Sequence, residues 1–370
     1  MILVQALRAV AAVLVVIHHA QNEAAILAAR TDTVFHPSTV LPWPAGVDVF
    51  FVISGFIIVH AAGPLYARPG ARRRFIAHRI ARLVPLYWLV TGLYLALGFA
   101  APALLSGEGG APDGARALAS FLFWPVARAD GAVLPLYSLG WTLNYEMAFY
   151  ALFALGLGWS RRGAVTWLVG AWALIVLAGR LLPGLPVPLA FWSDPIVLEF
   201  ILGAGLAAIR AEGFCLGASA RIALAMAGFA GLAVAPAEPA VRFLAWGLPA
   251  ACLVAAAVLG RDRPELVRSG GVAPAFAPAF ALAERLGDAS YALYLLHPFV
   301  LRAGREMLLR TGLAPLLGPW PSLVLMVALT LPVALLAHRV VERPLTRLVR
   351  ARLDPAPPAG AARPAGPPGG

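Results

Sequence analysis

The chain has 370 residues, of which 61% are hydrophobic and only 13% charged, and its mean hydropathy is +0.80. Soluble domains carry about a quarter charged residues, so this composition excludes a soluble globular protein and points to a polytopic membrane protein. All 29 basic residues are arginine; a coding bias toward Ala, Gly, Pro and Arg accounts for that, so the net charge of +11 is no argument for nucleic acid.

A membrane-spanning helix needs about 20 apolar residues. Runs of that kind lie near 3–20, 46–62, 83–101, 138–158, 163–182, 192–209, 221–236, 241–260, 286–303 and 321–341. They predict an all-α polytopic protein of about ten helices. The first run, LVQALRAVAAVLVVIHHA, encloses Arg8, His18 and His19. It has no charged segment ahead of its apolar stretch, so it reads as a helix of the mature protein and not a signal peptide. Ionisable groups are costly in a bilayer, where they face a protein interior or a wet cavity and mark a functional path. His18 and His19 sit some 100° apart on a helix, so at most one of them faces a given cavity.

The second run, AGVDVFFVISGFIIVH, carries Asp48 near its start and Ser54-Gly55 within it. Small residues allow close helix packing, which competes with a direct role for this pair. Asp48 is either a group at the helix start that suits the dipole or a site residue. RRRFIAHRIARLVPLYWL, residues 72–89, brings Arg72, Arg79 and Arg82 to roughly helical spacing. The arginines are either topological charge followed by an aromatic belt or a bidentate anion site. LASFLFWPV, 118–126, is too short to span and reads as an interfacial or re-entrant piece.

The fourth run opens SLGWTLNYEMAFYALFA, in which Thr142, Glu146 and Tyr150 share one face. Trp141 and Asn144 stand beside them. Glu146 is expected either to pair with an arginine or to act in a site. Glu199 lies deep in the sixth run and is not easily explained. In the ninth, LGDASYALYLLHPFV, Tyr291, Tyr294 and His297 add polar tips; His297 near a span end is as well explained by the interface as by a ligand. Glu342 beside Arg343 suggests a local ion pair. Cys215 and Cys252 fall in or beside apolar runs and suggest membrane packing more than a disulfide framework or a zinc site. From Asp354 the chain is rich in Pro, Gly and Ala, and 351–370 reads as a disordered tail.

The positive-inside rule orients these runs. Arg68, Arg72, Arg73, Arg74, Arg79 and Arg82 follow the second; Arg161 and Arg162 the fourth; Arg210 and Arg221 flank the connection after the sixth. Arg261, Arg263 and Arg268 follow the eighth, and Arg343, Arg347, Arg350 and Arg352 the last. With ten spans all of these share one side with the N-terminus, so N-in and C-in are expected. Arg302, Arg305 and Arg310 dissent. The scattered histidines offer no metal site, and there is no glycine-rich phosphate loop, nucleophile elbow or zincin motif.

Six segments in order, LRAVAAVLVVIHHA, GVDVFFVISGFII, FIAHRIARLVPLYWL, SLGWTLNYEMAFYAL, LGDASYALYLLHPFV and VVERPLTR, together resemble the acyltransferase family 3 proteins, which acylate sugars and related carbohydrates. The match covers nearly the whole domain, 1–350, and its NYE segment is most similar to the exopolysaccharide-acetylating branch. The resemblance implies a multi-pass protein of the cell membrane that uses an acyl-CoA such as acetyl-CoA as donor substrate. It implies no tightly bound cofactor, and a hydroxyl of a saccharide or lipid-linked saccharide as acceptor. Residue by residue, His19 matches the family's essential histidine, Arg8 the arginine of its first motif, Arg79 and Arg82 the paired arginines of the third, and Glu146 the glutamate of the fourth. This makes His19 and Glu146 the expected catalytic residues, and Arg8, Arg79 and Arg82 the expected donor-binding ones. Asp48, Trp141, Asn144 and Tyr150 are the expected substrate-binding residues.

One position departs from the family. Many members carry a carboxylate eleven residues after the histidine, and here that place is Arg30. Glu146 or Asp48 is then a candidate to orient the imidazole. A transporter or flippase for a lipid-linked saccharide is the rival expectation, since buried Arg, His and Glu also suit a transport path. The absence of an internal repeat counts against it.

Overall fold

The computed structural model describes residues 1–100, 114–239, 241–261 and 277–354. Each of the ten apolar runs is helical. They form α1 (Ile2–Arg30), α2 (Gly46–Ala61), α3 (Ala71–Ala100), α5 (Trp141–Gly156), α6 (Arg161–Leu181), α8 (Leu198–Ala211), α9 (Ala218–Val234), α10 (Leu248–Val258), α12 (Ser290–Arg310) and α14 (Pro319–Ala337). Shorter helices connect them: α4 (Gly114–Phe121), α7 (Val187–Trp192), α11 (Ala277–Asp288), α13 (Leu313–Leu317) and α15 (Arg343–Leu353). Among the described residues there is no β-strand, only an isolated bridge between Ala127 and Val133. Five helical segments are long and apolar enough to cross a membrane by length and composition, and Ala218–Val234 and Phe243–Val258 are apolar but shorter. The fold is thus all-α and of membrane type.

Two runs extend past their apolar limits. α1 continues ten residues beyond 20, and α12 continues to Arg310 through Arg302, Arg305 and Glu306. The reason is that the two helices run side by side in the same direction and neutralise each other. Arg8 donates to Ser290 Oγ at 2.8 Å, and further along His19 meets His297. Past these, Glu23 accepts from Arg305 and lies 3.4 Å from Arg302. Last, Arg30 pairs with Glu306 at 2.6 Å. Arg302 and Arg305 are thus both answered by Glu23 on α1.

The expected cytoplasmic arginines do gather at one end of the bundle. Arg72 donates to Leu155 O at 3.0 Å, Arg161 lies over the Tyr66 ring at 5.6 Å, and Arg162 pairs with Glu212 at 2.8 Å. Arg210 donates to Gly260 O at 3.0 Å and Arg221 to Ala256 O at 2.7 Å. At the same end α15 packs on α3. His78 and Arg74 both contact Asp354, at 2.7 and 3.2 Å. The His78 hydrogen bond, with the Arg74 charge, holds the Asp354 carboxyl below its usual value. Residues 351–353 are consequently helix and not tail. The stretch from Pro355, with Arg263 and Arg268, lies outside the described residues.

Glu342 differs from expectation. It sits in a π-turn, His338–Glu342, and bonds His338 Nδ1 at 2.9 Å, so its local partner is the histidine one turn back instead of Arg343. The 118–126 piece is α4 followed by a turn in which Phe123 has φ +56°. Leu118, Leu122 and Trp124 remain exposed there, while the Trp88 indole donates to Phe121 O at 2.8 Å.

The tightest packing is between α2 and α8. A Cβ on Gly55 would lie 2.0 Å from Phe200 O, and one on Gly203 would lie 1.9 Å from Val52 O. Only hydrogens fit at this crossing. It lets Phe51 and Phe200 stack at 4.4 Å and sets the position of α2, the helix that lines the site.

Candidate active site

A cavity of about 400 Å³ lies between α1, α2, α3, α5 and α12. Its wall on α2 extends from Ile58 to Val47, roughly 16 Å of helix at 1.5 Å per residue. The cavity is therefore elongated along the bundle. One end, among the arginine-rich helix termini, is lined by Arg8, Arg79 and Arg82. The other is lined by Val47, Phe50, Thr142 and Tyr294.

The cationic end is built from three helices. Arg8 is held by Gln5 Oε1 at 3.0 Å and Ser290 Oγ at 2.8 Å. Arg79 lies between the rings of Phe75 and Tyr150, 5.3 and 5.7 Å from their centroids. Its Nε is buried with no hydrogen-bond partner among the described residues. Guanidinium–aromatic contact is favourable when desolvated, yet it leaves the donor fork of Arg79 unspent. Glu146 faces these cations; its Oε1 accepts from Ser54 Oγ at 2.8 Å and from Tyr150 OH. Three arginines with one carboxylate leave a surplus of positive charge, which suits a polyanionic ligand.

The spacing that put Thr142, Glu146 and Tyr150 on one face holds, since all three line the cavity. Ser54-Gly55 divides its two expected roles. Gly55 is the packing residue, and Ser54 lines the cavity and holds Glu146.

A histidine cluster adjoins Tyr294, whose ring lies 6.3 Å from that of His297. His19 contacts His18 and His297 with ring centroids 5.0 and 4.9 Å apart. His19 Nδ1 donates to Val15 O at 2.9 Å, the carbonyl one turn back. The nitrogen that an orienting carboxylate would hold is thus held by backbone. His297 follows the same pattern, with Nδ1 donating to Leu293 O at 3.1 Å. The two acids considered for the imidazole have other partners: Glu146 bonds Ser54 and Tyr150, and Asp48 is gripped bidentately by Arg242 at 2.9 and 2.7 Å.

The four expected substrate-binding residues do not form one group. Asp48 and Trp141 are joined through Arg242, whose guanidinium lies 5.8 Å from Trp141 and 4.7 Å from Trp246. Tyr150 belongs to the cationic end. Asn144 is buried with Oδ1 unpartnered among the described residues and does not line the cavity. Asp48 makes no side-chain cap; its partner is 194 residues away. Glu199, fully buried, lies against Gly247, where a Cβ would stand 2.8 Å from its Oε1. It shares the local field of Asp48 and Arg242.

Sequence reasoning missed Arg242 and left His297 open between an interfacial residue and a ligand. The signal for Arg242 was present: a lone arginine in the apolar run 241–260 is as costly as Arg8. His297 beside Pro298 looked like a span end because α12's ion-paired extension could not be foreseen.

The described residues thus form a helical bundle with a charged, elongated cavity and a histidine cluster near it. An acyltransferase-domain family model matches residues 3–339. The chain is 34% identical to the exopolysaccharide production protein ExoZ of Rhizobium meliloti (strain 1021) over 318 residues, 83% of this chain and 91% of that protein. It is 28% identical to the acyltransferase MdmB of Streptomyces mycarofaciens over 339 residues, 83% of this chain and 81% of that one. No solved structure matches. The chain belongs to the acyltransferase family 3 and is a membrane acyltransferase.

Proposed function

We propose that this acyltransferase resides in the cell membrane and transfers an acetyl group from acetyl-CoA to a hydroxyl of a cell-surface or exported saccharide. The single observation that carries this reading is the elongated cavity with Arg8, Arg79 and Arg82 at one end and the histidine cluster adjoining Tyr294 at the other. A CoA thioester has the matching shape: a phosphate-bearing head and a long thin arm ending in the reactive carbonyl. Arg79 and Arg82 take the phosphates, for which arginine is suited. Arg8 neutralises and guides the arm, and Glu146 fixes the cationic end through Ser54 and Tyr150. The 34% identity to an exopolysaccharide production protein supports the saccharide acceptor.

In this mechanism His19 is the general base. With its proton on Nδ1 and bonded to Val15 O, the imidazole carries its lone pair on Nε2, the atom that takes the hydroxyl proton. The hydroxyl oxygen then attacks the thioester carbonyl as the proton passes to Nε2, and the thiolate leaves. Histidine suits the task because its ordinary pKa lies near working pH. Trp141 and Arg242 supply an aromatic and a donor at the acceptor side. In this reading the helices cross with the arginine-rich end and both termini in the cytoplasm, the side where CoA is made.

Reversing the donor clamp tests the cavity's role. Arg79→Glu with Arg82→Glu should raise the KM for acetyl-CoA by about tenfold or more, since each lost charge-assisted contact is worth about 1.5–3 kcal/mol. Steady-state kinetics with the acceptor saturating reads this. A change in acceptor KM alone refutes the anion-site assignment.

A further inference from the structure

The acid that usually follows the catalytic histidine is replaced here by Arg30, itself paired with Glu306 at 2.6 Å. We infer that His297 is the functional partner of His19, so that the acceptor proton is held by a pair of histidines instead of a histidine and a carboxylate. This rests on the reading of His19 as general base.

Three observations meet at His297. Its ring lies against that of His19, with centroids 4.9 Å apart at 63°. Its Nδ1 bonds Leu293 O at 3.1 Å as His19 Nδ1 bonds Val15 O at 2.9 Å. Each ring therefore carries its proton on Nδ1 and its lone pair on Nε2. Finally, His297 is 1% exposed and its Nε2 has no hydrogen-bond partner among the described residues. An unmet buried acceptor costs stability, and such a cost is retained where the atom is used in another state of the site.

On α12, Tyr294 lines the cavity, and its ring lies 6.3 Å from that of His297. His297 thus neighbours both a cavity-lining residue and His19. The parallel run of α1 and α12, fixed by Arg8–Ser290 on one side and Arg30–Glu306 on the other, sets the register that brings the two rings together.

The chemistry balances without a further reagent. The hydroxyl O–H breaks and its proton goes to His19 Nε2. The hydroxyl oxygen forms the C–O bond to the thioester carbonyl carbon, and the C–S bond breaks with its electron pair on sulfur. While His19 is cationic, the His297 Nε2 lone pair accepts a hydrogen bond from the new His19 Nε2–H and so stabilises the imidazolium; a hydrolase triad does this from the opposite ring nitrogen, which here is bonded to Val15 O. The proton then returns to the thiolate to give the free thiol. His297 acts through His19, so it is a positioning residue.

The test compares full-length purified protein with His297→Asn and His297→Ala, using labelled acetyl-CoA and an oligosaccharide acceptor. Asn can keep the donation to Leu293 O but carries no basic nitrogen. A fall in kcat of about 10²-fold is expected for His297→Asn, less than the ~10⁴-fold seen when a charged triad partner is neutralised. The KM for acetyl-CoA should stay within about twofold of wild type, because KM moves only with binding shared by ground and transition states. Added imidazole should restore activity to His297→Ala, whereas pyrrole, of equal size but without a basic nitrogen, should not. Wild-type turnover in His297→Asn, or equal rescue by both rings, overturns the inference. If the Asn variant does not fold, the two-ring comparison on folded His297→Ala decides. Full activity in His19→Ala, or no transfer by wild type, refutes the underlying reading instead.

Discussion

Alanine at His19 should lower acyl transfer by about 10²–10⁴-fold, the contribution of a positioned general base, while His18→Ala keeps most of the activity. The two histidines are adjacent and both half-buried, so exposure does not distinguish them. Geometry does. His19 has its Nδ1 fixed on Val15 O and its ring on His297, within the α1–α12 seam that also carries Arg8 and Glu23. His18 meets the edge of the His19 ring. Because the lost interaction is made during proton transfer and not on donor binding, kcat should fall with little change in the KM for acetyl-CoA. Rates of label transfer by the two variants at equal folded protein check this, and the opposite ranking removes His19 from its role.

The largest effect on stability is expected at the α2–α8 crossing. Gly203→Val places a Cβ 1.9 Å from the Val52 carbonyl and 2.7 Å from Phe56 N, contacts that only backbone movement can relieve. Overpacking of a fitted core costs about 1–3 kcal/mol, occasionally more. Here the clash is with main chain, which moves less freely than a side chain. Parting the two helices also parts Phe51 from Phe200, stacked at 4.4 Å. It displaces Ser54 from Glu146 as well. Gly205, two residues on, meets nothing within 4 Å. Gly205→Ala should therefore be neutral or stabilise the helix by about 0.5–1 kcal/mol. Thermal unfolding in detergent compares the two, and equal melting temperatures contradict the close crossing.

Much of this architecture was legible in the residues because the bilayer imposes a simple code. Each long apolar run became a helix, since backbone polar groups in lipid must be satisfied within the segment. The i,i+4 pattern of Thr142, Glu146 and Tyr150 correctly put them on one face, because helical periodicity is local. What the sequence did not disclose depended on contacts between distant segments. The Asp48–Arg242 grip joins residues 194 positions apart. The α1 and α12 extensions follow from Glu23, Arg30, Arg302, Arg305 and Glu306 meeting across two helices, and neither helix alone predicts them. His297 looked interfacial for the same reason: its depth follows from how far α12 continues, which its partners on α1 decide. Glu342 took His338 instead of the adjacent Arg343, since a π-turn aligns residues four apart and neighbours in sequence point to different sides of a helix.

Under the proposed function the cavity and histidine cluster carry acyl transfer from acetyl-CoA to a saccharide. The most direct measurement incubates the purified protein in lipid vesicles with acetyl-labelled acetyl-CoA and an oligosaccharide, then follows label in the saccharide by mass. Appearance of an acetyl ester on the saccharide, abolished in His19→Ala, is the predicted result. Movement of a lipid-linked saccharide across the vesicle membrane with no acetyl incorporated contradicts it.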